Sequence, residues 1–444
     1  MYRFVLFFFL GAMMPSLAWP LDLMSSYELA LIHDPIFKSA SKDYEAGLQN
    51  DAIGRSAMLP KLYASYNKAT NKATQWGQQY PGGPTNSFNW SYPSDYSALQ
   101  VTQPIFNLDA VARWKQGASQ ADFTKAKFIY SAQDLLMRVL QGYTDFLFSF
   151  DQLNFQRVER NAFLEQSKVT KRLYEKGEGS ITDALESQVA YQASEAKLVE
   201  ANDAVELSRR KLEAIIGEVI KDNSVAPLAA NFNFFKLTPK TYNEWKDNAL
   251  ANNAELKAME EQVTIAYQEY KKNSAAHYPV INLVAATTTQ NSNTVSSINQ
   301  TTNQNYAGVQ MTLPLYGGGE ISARSSQAYA LYEKSKADFE VTRDRILTEL
   351  RKQYDQVQSG AIKIQSLSKA QESSSLLVQS MRKSVMSGEK INLDILLAQK
   401  SLFLTSRDLA QGKYNYLLAY VKLLQLGGRL EVEDFQAVAS NFKK

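Results

Sequence analysis

Little in this chain could make or break a bond. It has no cysteine and only two histidines, His33 and His277. That removes disulfides, thiolate metal sites, a cysteine nucleophile and a lipid-bearing N-terminal cysteine. A metal would need more ligands close to either histidine, so both read as caps or packing residues near helix ends. No nucleophile, base and orienting group can be assembled, so the chain does not read as an enzyme and implies no cofactor. The glycine run Gly317-Gly318-Gly319 follows a strand and opens a helix, where a phosphate cradle could sit. It lacks the spacing of a phosphate-binding or dinucleotide loop, so it reads as a tight strand-to-helix junction. With 48 basic against 45 acidic residues, the net charge is +3. There is no basic block to neutralise phosphates, which argues against a nucleic-acid partner.

The charged residues with informative spacing lie in two matching segments. Gly177-Glu178-Gly179-Ser180-Ile181-Thr182-Asp183 aligns without a gap to Gly388-Glu389-Lys390-Ile391-Asn392-Leu393-Asp394, 211 residues later. Each interrupts a long run free of proline, so Gly177, Gly179 and Gly388 mark turns between helices. Ser180-x-x-Asp183 has the form of a capping box, and Asp394 stands where a carboxylate suits the helix dipole.

The helices after the turns match too. Tyr191, Leu198, Val205 and Leu212 recur every seven residues beside Ser194, Ala201, Ser208 and Ile215. The same offset gives Leu402, Leu409, Tyr416 and Leu423 beside Thr405, Gly412, Ala419 and Leu426. A seven-residue repeat predicts supercoiled helices, and the mostly small second seam lets them approach closely.

These turns need a frame to hold them. Residues 1–18 read as a secretory signal, with Arg3, an apolar core from Phe4 to Met14, and Ser16-Leu17-Ala18 as the cleavage site. The first repeat, 19–226, is expected to hold a helix over 27–58, strands at 59–76 and 96–106 around a polar loop, a long helix over 107–176, and a helix over 182–217. A connector covers 227–242. The second repeat, 243–444, holds a helix over 243–277, strands at 280–290 and 305–316, a long helix over 317–387, a helix over 391–427 and a C-terminal tail. Pro60, Pro104, Pro279 and Pro314 mark the junctions between helices and strands. The long helix of the first repeat comes to ~105 Å, and its two shorter helices sum to ~102 Å, so they could lie end to end alongside it.

The strands alternate. Leu99, Val101 and Ile105 share one face; Ala307, Val309, Met311, Leu313 and Leu315 share another, with Tyr306, Gly308, Gln310 and Thr312 opposite. An apolar face backed by a polar one suits lipid and lumen, and aromatic residues near the strand ends suit interfacial girdles. Four strands cannot close a barrel, because about eight is the usual minimum; if these strands are in a membrane, several chains must contribute to one barrel. The fold class is mainly α with a β-barrel.

On these features the chain resembles the TolC family of outer-membrane channel-tunnels. The resemblance rests on the duplication, the two strand pairs, Leu313-Pro314-Leu315-Tyr316-Gly317-Gly318-Gly319, and Tyr414-Asn415-Tyr416-Leu417 in the last helix. It implies a homotrimer in the outer membrane of a Gram-negative bacterium, with one twelve-stranded barrel and a long antiparallel coiled-coil tunnel in the periplasm. It implies docking to a periplasmic adaptor and an inner-membrane ABC transporter, with exported protein or small molecules as cargo. The absent cysteine departs from the lipidated efflux branch, and the rest of the pattern looks more like the type I secretion branch, which exports proteases and lipases with ABC transporters. By the same resemblance, Asp394 falls on an acidic ring that closes the tunnel tip, Lys390 on a residue linking neighbouring hairpins, and Asp183 on its acidic partner. Leu397 replaces a second acidic ring, and Val385 stands where the founding member has an aromatic residue. The competing readings are the outer-membrane part of a drug efflux pump and a periplasmic coiled-coil scaffold.

Overall fold

The computed structural model describes residues 21–78, 80–220, 225–229, 231–292 and 300–442. The signal segment 1–18 lies outside them. Among the described residues thirteen elements follow one another. The first repeat holds α1 (Leu23–His33), α2 (Pro35–Ser56), β1 (Lys61–Gln78), β2 (Thr85–Phe106), α3 (Leu108–Glu175) and α4 (Ile181–Ile216). The second holds α5 (Tyr242–Asn252), α6 (Ala254–Ala275), β3 (Val280–Ser292), β4 (Gln300–Thr312), α7 (Glu320–Met386), α8 (Asn392–Leu426) and a short α9 (Val432–Ala439).

The chain forms two compact units, and neither coincides with a sequence repeat. One takes the chain up to Lys42, Phe128–Ala254 and Arg343–Lys444; the other takes Asp43–Lys127 and Glu255–Thr342. Each draws on both repeats.

The helix expected over 27–58 is two helices. Pro35 has no N–H to donate and holds Asp34 in an extended conformation with ψ of 119°. Asp34 then caps α2, its carboxylate accepting from the Phe37 N–H at 2.7 Å. The helix expected over 243–277 breaks the same way without a proline. Asn253 takes ψ of 125° and donates its side-chain N–H to the Leu426 carbonyl at 2.9 Å. Close backbone approaches flank both breaks: Gly217 lies against His33, and Gly428 against Asn252. Any side chain at Gly428 would meet Asn252 backbone at 2.5 Å. The tail packs on α1 and the connector on α8. Phe435 is fully buried and 5.6 Å from the Tyr27 ring, and Phe235 stacks on Tyr420 at 4.3 Å.

In the unit containing the sheet, small residues let α2 run close to α3. Gly54 faces Gly117, and Gly47 faces Thr124. In the other unit α4 runs against α3 through the small seam. Ser187, Ser194, Ser208, Val205 and Leu212 are buried there. Buried hydroxyls face each other across it: Ser149 and Ser208 at 2.6 Å, Thr170 and Ser187 at 2.5 Å. Each pair has two protons, so one hydroxyl donates to the other and the second donates to a carbonyl one turn back, which leaves neither hydroxyl of the close seam without a partner.

The four strands form one antiparallel sheet in the order β1-β2-β3-β4. The strands reach further than expected. β2 begins at Thr85, not 96, because residues 85–95 pair with β1 down to Gln78. Their polar composition read as a loop, yet Thr, Phe88, Trp90 and Tyr92 suit a strand. Pro93 lies one residue past Ser94, the last β2 residue that pairs with β3 among the described residues, where a proline at a strand edge is tolerated. The gap between the strands expected at 280–290 and 305–316 likewise shrinks, with β3 running to Ser292 and β4 starting at Gln300. β4 ends at Thr312, not 316, because Pro314 cannot extend a ladder.

Candidate functional site: the paired helical turns and the sheet faces

The two turns share the same pair of closing bonds. In the first, the Gly177 N–H donates to the Tyr174 carbonyl and the Glu178 N–H to Leu173, both at 2.9 Å. In the second, Gly388 donates to Val385 at 3.1 Å and Glu389 to Ser384 at 3.0 Å. This pair of bonds is a Schellman cap, which needs a left-handed residue just past the helix. Gly177 and Gly388 supply it with φ of 76° and 78°. Gly179 serves another purpose: a Cβ there would come within 3.0 Å of the Leu173 side chain.

The helices after the turns start differently. Ser180 caps α4, its hydroxyl accepting from the Thr182 N–H at 3.1 Å, and Asp183 stands exposed in the first turn. At α8 the capping position is Ile391, which has no side-chain acceptor. Asp394 compensates: its carboxylate reaches back to the Ile391 N–H at 3.3 Å.

Both hairpins contribute to one cavity of about 520 Å³. Phe163, Leu173, Val385 and Leu396 supply apolar wall, with Asp183 and Lys390 among its charged groups. The first hairpin adds Glu178 and Glu186, and the second adds Lys400, so acidic groups line one side and basic groups the other. Asp183 and Lys390 share this cavity, yet no ion pair joins them among the described residues. Asp394 is engaged at its own helix start and is not among the lining residues. Sequence reasoning passed over Glu186 and Lys400. Glu186 lies three residues beyond Asp183, so extending that helical face by one turn would have found it.

The four prolines stand at the ends of strands. Pro60 and Pro279 directly precede β1 and β3, and Pro314 lies just past β4. Pro104 sits at the register shift between β2 and β3. Beside it Gln103 donates to the Met58 carbonyl at 2.9 Å, tying the strand base to the residues after α2. Gly318 and Gly319 take φ of 63° and 83° ahead of α7, with open space where a side chain would stand.

Register joins the alternating faces into one surface. Leu62, Val101, Ala285 and Ala307 form a single row across the strands. Leu99 lies above that row, and Leu283, Val309 and Met311 lie below it. This face is exposed, with Val309 at 67% and Leu62 at 64%. The opposite face is more enclosed: Val284 and Ala286 are buried, and Gln100 and Thr102 half-buried. Further along, the exposed face turns polar at the row Lys68, Asp95, Asn291 and Thr301, where Asn291 donates to Asp95 at 2.8 Å.

Among the described residues, no cluster of His, Asp or Glu could hold a metal, and no helix is long and apolar enough to cross a membrane. His33 packs against Gly217 and His277 is exposed. What the arrangement offers is a charged cavity between two hairpins and, separately, a sheet with unlike faces, features that suit docking and passage.

The family described as outer membrane efflux protein matches residues 26–218 and 245–429. Alkaline protease secretion protein AprF of Pseudomonas aeruginosa is 35% identical over 427 residues, covering 96% of this chain and 88% of that protein. Proteases secretion protein PrtF of Dickeya chrysanthemi is 30% identical over 429 residues, covering 96% and 92%. Among solved structures, the outer membrane protein VceC of Vibrio cholerae superposes with a TM-score of 0.74 at 16% identity, covering 91% of this chain and 96% of that one.

Proposed function

Because this chain belongs to the outer membrane efflux protein family, we propose that it is the outer-membrane exit duct of a type I protein-secretion system. The observation that carries the reading is the similarity to two protease secretion proteins over 96% of the chain. The chain is an outer-membrane protein of the channel-tunnel fold. Its sheet has two open edges, β1 and β4, and an open edge in lipid is not viable. A homotrimer closes them into one barrel of twelve strands. The exposed apolar face then meets lipid and the enclosed face lines the lumen.

The duct performs no chemistry. Its substrate is an exported protein, delivered by an inner-membrane ABC transporter through a periplasmic adaptor. The adaptor acts at the paired turns, where the cavity between hairpins presents acidic and basic walls. Asp183 and Lys390 belong to the contacts that hold the closed state, and three copies of Asp394 form an acidic ring that favours cations. Docking biases a two-state change from closed to open.

Deleting the gene in its host and assaying secreted protease tests this. Loss of extracellular protease, restored by the intact gene, is the expected result. Unchanged secretion with raised sensitivity to detergents and antibiotics would instead assign the duct to drug efflux.

A further inference from the structure

The β1–β2 hairpin outgrows the rest of the sheet. Among the described residues β3 pairs with β2 as far as Ser94, while β1 and β2 continue together through nine more pairs, from Thr70 with Pro93 to Gln78 with Thr85. At 3.3 Å per residue this ribbon extends by about 30 Å. A two-stranded ribbon alone in water is marginally stable at best, so it needs cover.

The sequence of its second strand says where the cover lies. Phe88, Trp90 and Tyr92 alternate along β2 and therefore share one face. Across the ladder they meet Gln75, Ala73 and Asn71, none large enough to shield a ring. Phe88 is 44% and Trp90 40% exposed. Counting down β2 with no register shift, the same face carries Ala98 and Gln100, the enclosed polar side of the sheet. The stripe is thus turned away from the lipid-facing side, and it lies beyond the polar row that ends that side.

We propose that the β1–β2 ribbons of three copies pack these aromatic stripes against one another around the pore axis, forming an apolar closure at the outer end that parts under a passing polypeptide. This rests on the trimeric barrel proposed above. The occupant of the stripe is a second copy because β1 is also the edge that joins one copy to the next, so the ribbon rises directly from that seam. A twelve-stranded barrel has a radius of roughly 12 Å at ordinary strand spacing and tilt, within the ribbon's reach. At roughly 150–250 Å² per aromatic ring, nine rings supply on the order of 1,000 Å² of contact.

The absence of cysteine makes the test clean. Full-length Trp90→Cys and Thr74→Cys, the latter on the opposite ribbon face, are oxidised in outer membranes with copper phenanthroline. Trp90→Cys is expected to give disulfide-linked dimers and Thr74→Cys to stay monomeric on denaturing gels. Conductance of Trp90→Ala in a planar bilayer is expected to rise several-fold, with Trp90→Phe close to the parent. Trimer mass by light scattering is measured on every variant. A trimer in which the two cysteine variants cross-link alike, or in which Trp90→Ala conducts like the parent, overturns the closure and leaves the duct intact. A parent chain that never forms a trimer overturns the duct reading itself.

Discussion

Arg138 grips Asp34 with two hydrogen bonds, Nη1 to Oδ1 at 2.9 Å and Nη2 to Oδ2 at 2.8 Å. Asp34 stands at the α1–α2 break, is 2% exposed, and also caps α2. The second repeat solves the same break with Asn253, which bonds a carbonyl and needs no charge. One junction is therefore ionic and its counterpart neutral. Asp34→Asn keeps shape and cap but leaves the guanidinium without its buried partner. A loss of about 2 kcal/mol is expected, below the full cost of breaking a deeply buried pair because Arg138 keeps some solvent access. Urea unfolding followed by circular dichroism measures it; an unchanged midpoint would show the pair to be dispensable.

The same pair sets an acid limit. Burial pushes the Asp34 carboxyl up, but the Arg138 and Phe37 hydrogen bonds and the Arg138 charge outweigh it and hold it below the usual carboxylate range. A lowered folded value means the stabilisation is present above the unfolded pKa of about 3.9 and lost as pH falls through the folded one. The parent should lose stability relative to Asp34→Asn as pH drops below about 4. Melting temperatures of both proteins across pH 3 to 7 would converge; parallel curves contradict the assignment.

Asp151 works in the opposite direction. Burial pushes its carboxyl up, only partly offset by the Tyr414 hydroxyl, which donates to it at 3.0 Å, and by the Lys413 charge. Its contribution is full below the unfolded pKa and falls as pH rises through the folded one. Asp151→Asn keeps an acceptor for Tyr414 and removes the buried charge. Its stability relative to the parent should improve from acid to neutral pH, which thermal melts at pH 4 and pH 7 would reveal.

Close helix packing gives a steric prediction. A Cβ at Gly117 would meet the Asn50 carbonyl oxygen at 2.3 Å, and one at Gly54 the Arg113 carbonyl oxygen at 2.6 Å. Both obstacles are backbone, so the helices must part. Gly117→Ala should cost about 1–3 kcal/mol despite the better helix propensity of alanine. A gain in stability would mean that α2 and α3 are not held this close.

The sheet faces predict opposite tolerance for charge. Val309→Arg puts a cation on the exposed apolar face, at a cost of about 2–4 kcal/mol near the bilayer midplane. Gln310→Arg, one residue on, points to the other side and should be tolerated. Recovery of each variant in the outer-membrane fraction decides; equal recovery would remove the lipid from that face.

At the turns, Asp394→Asn should reduce cation preference in a planar bilayer. Lys390→Ala should raise the resting conductance by loosening the closed state. Unchanged selectivity in Asp394→Asn would leave this carboxylate as a helix cap alone, the role its bond to the Ile391 N–H already gives it.

Much of this was written locally. The Schellman glycines, the heptad seam through Ser194 and Ser208, and the alternation of Val309 and Met311 each depend on residues a few positions apart, which a reader of the chain sees directly. The polar ribbon of β2 was hidden because Asn, Ser and Thr between Thr85 and Asp95 look like loop until a partner strand is known. The cavity wall of Phe163 and Leu396 was hidden because its members lie on different hairpins.

The sequence by itself determined the duplication, the turn sites and the faces of β2 near Leu99 and of β4, because helical and strand periodicities are properties of neighbouring residues. Only the tertiary structure decided which distant groups meet. Asp34 finds Arg138 more than a hundred residues away, and Ser149 finds Ser208 across two antiparallel helices. Such pairings are fixed by packing the whole chain, where each buried polar group must find a partner, and no local pattern encodes that choice.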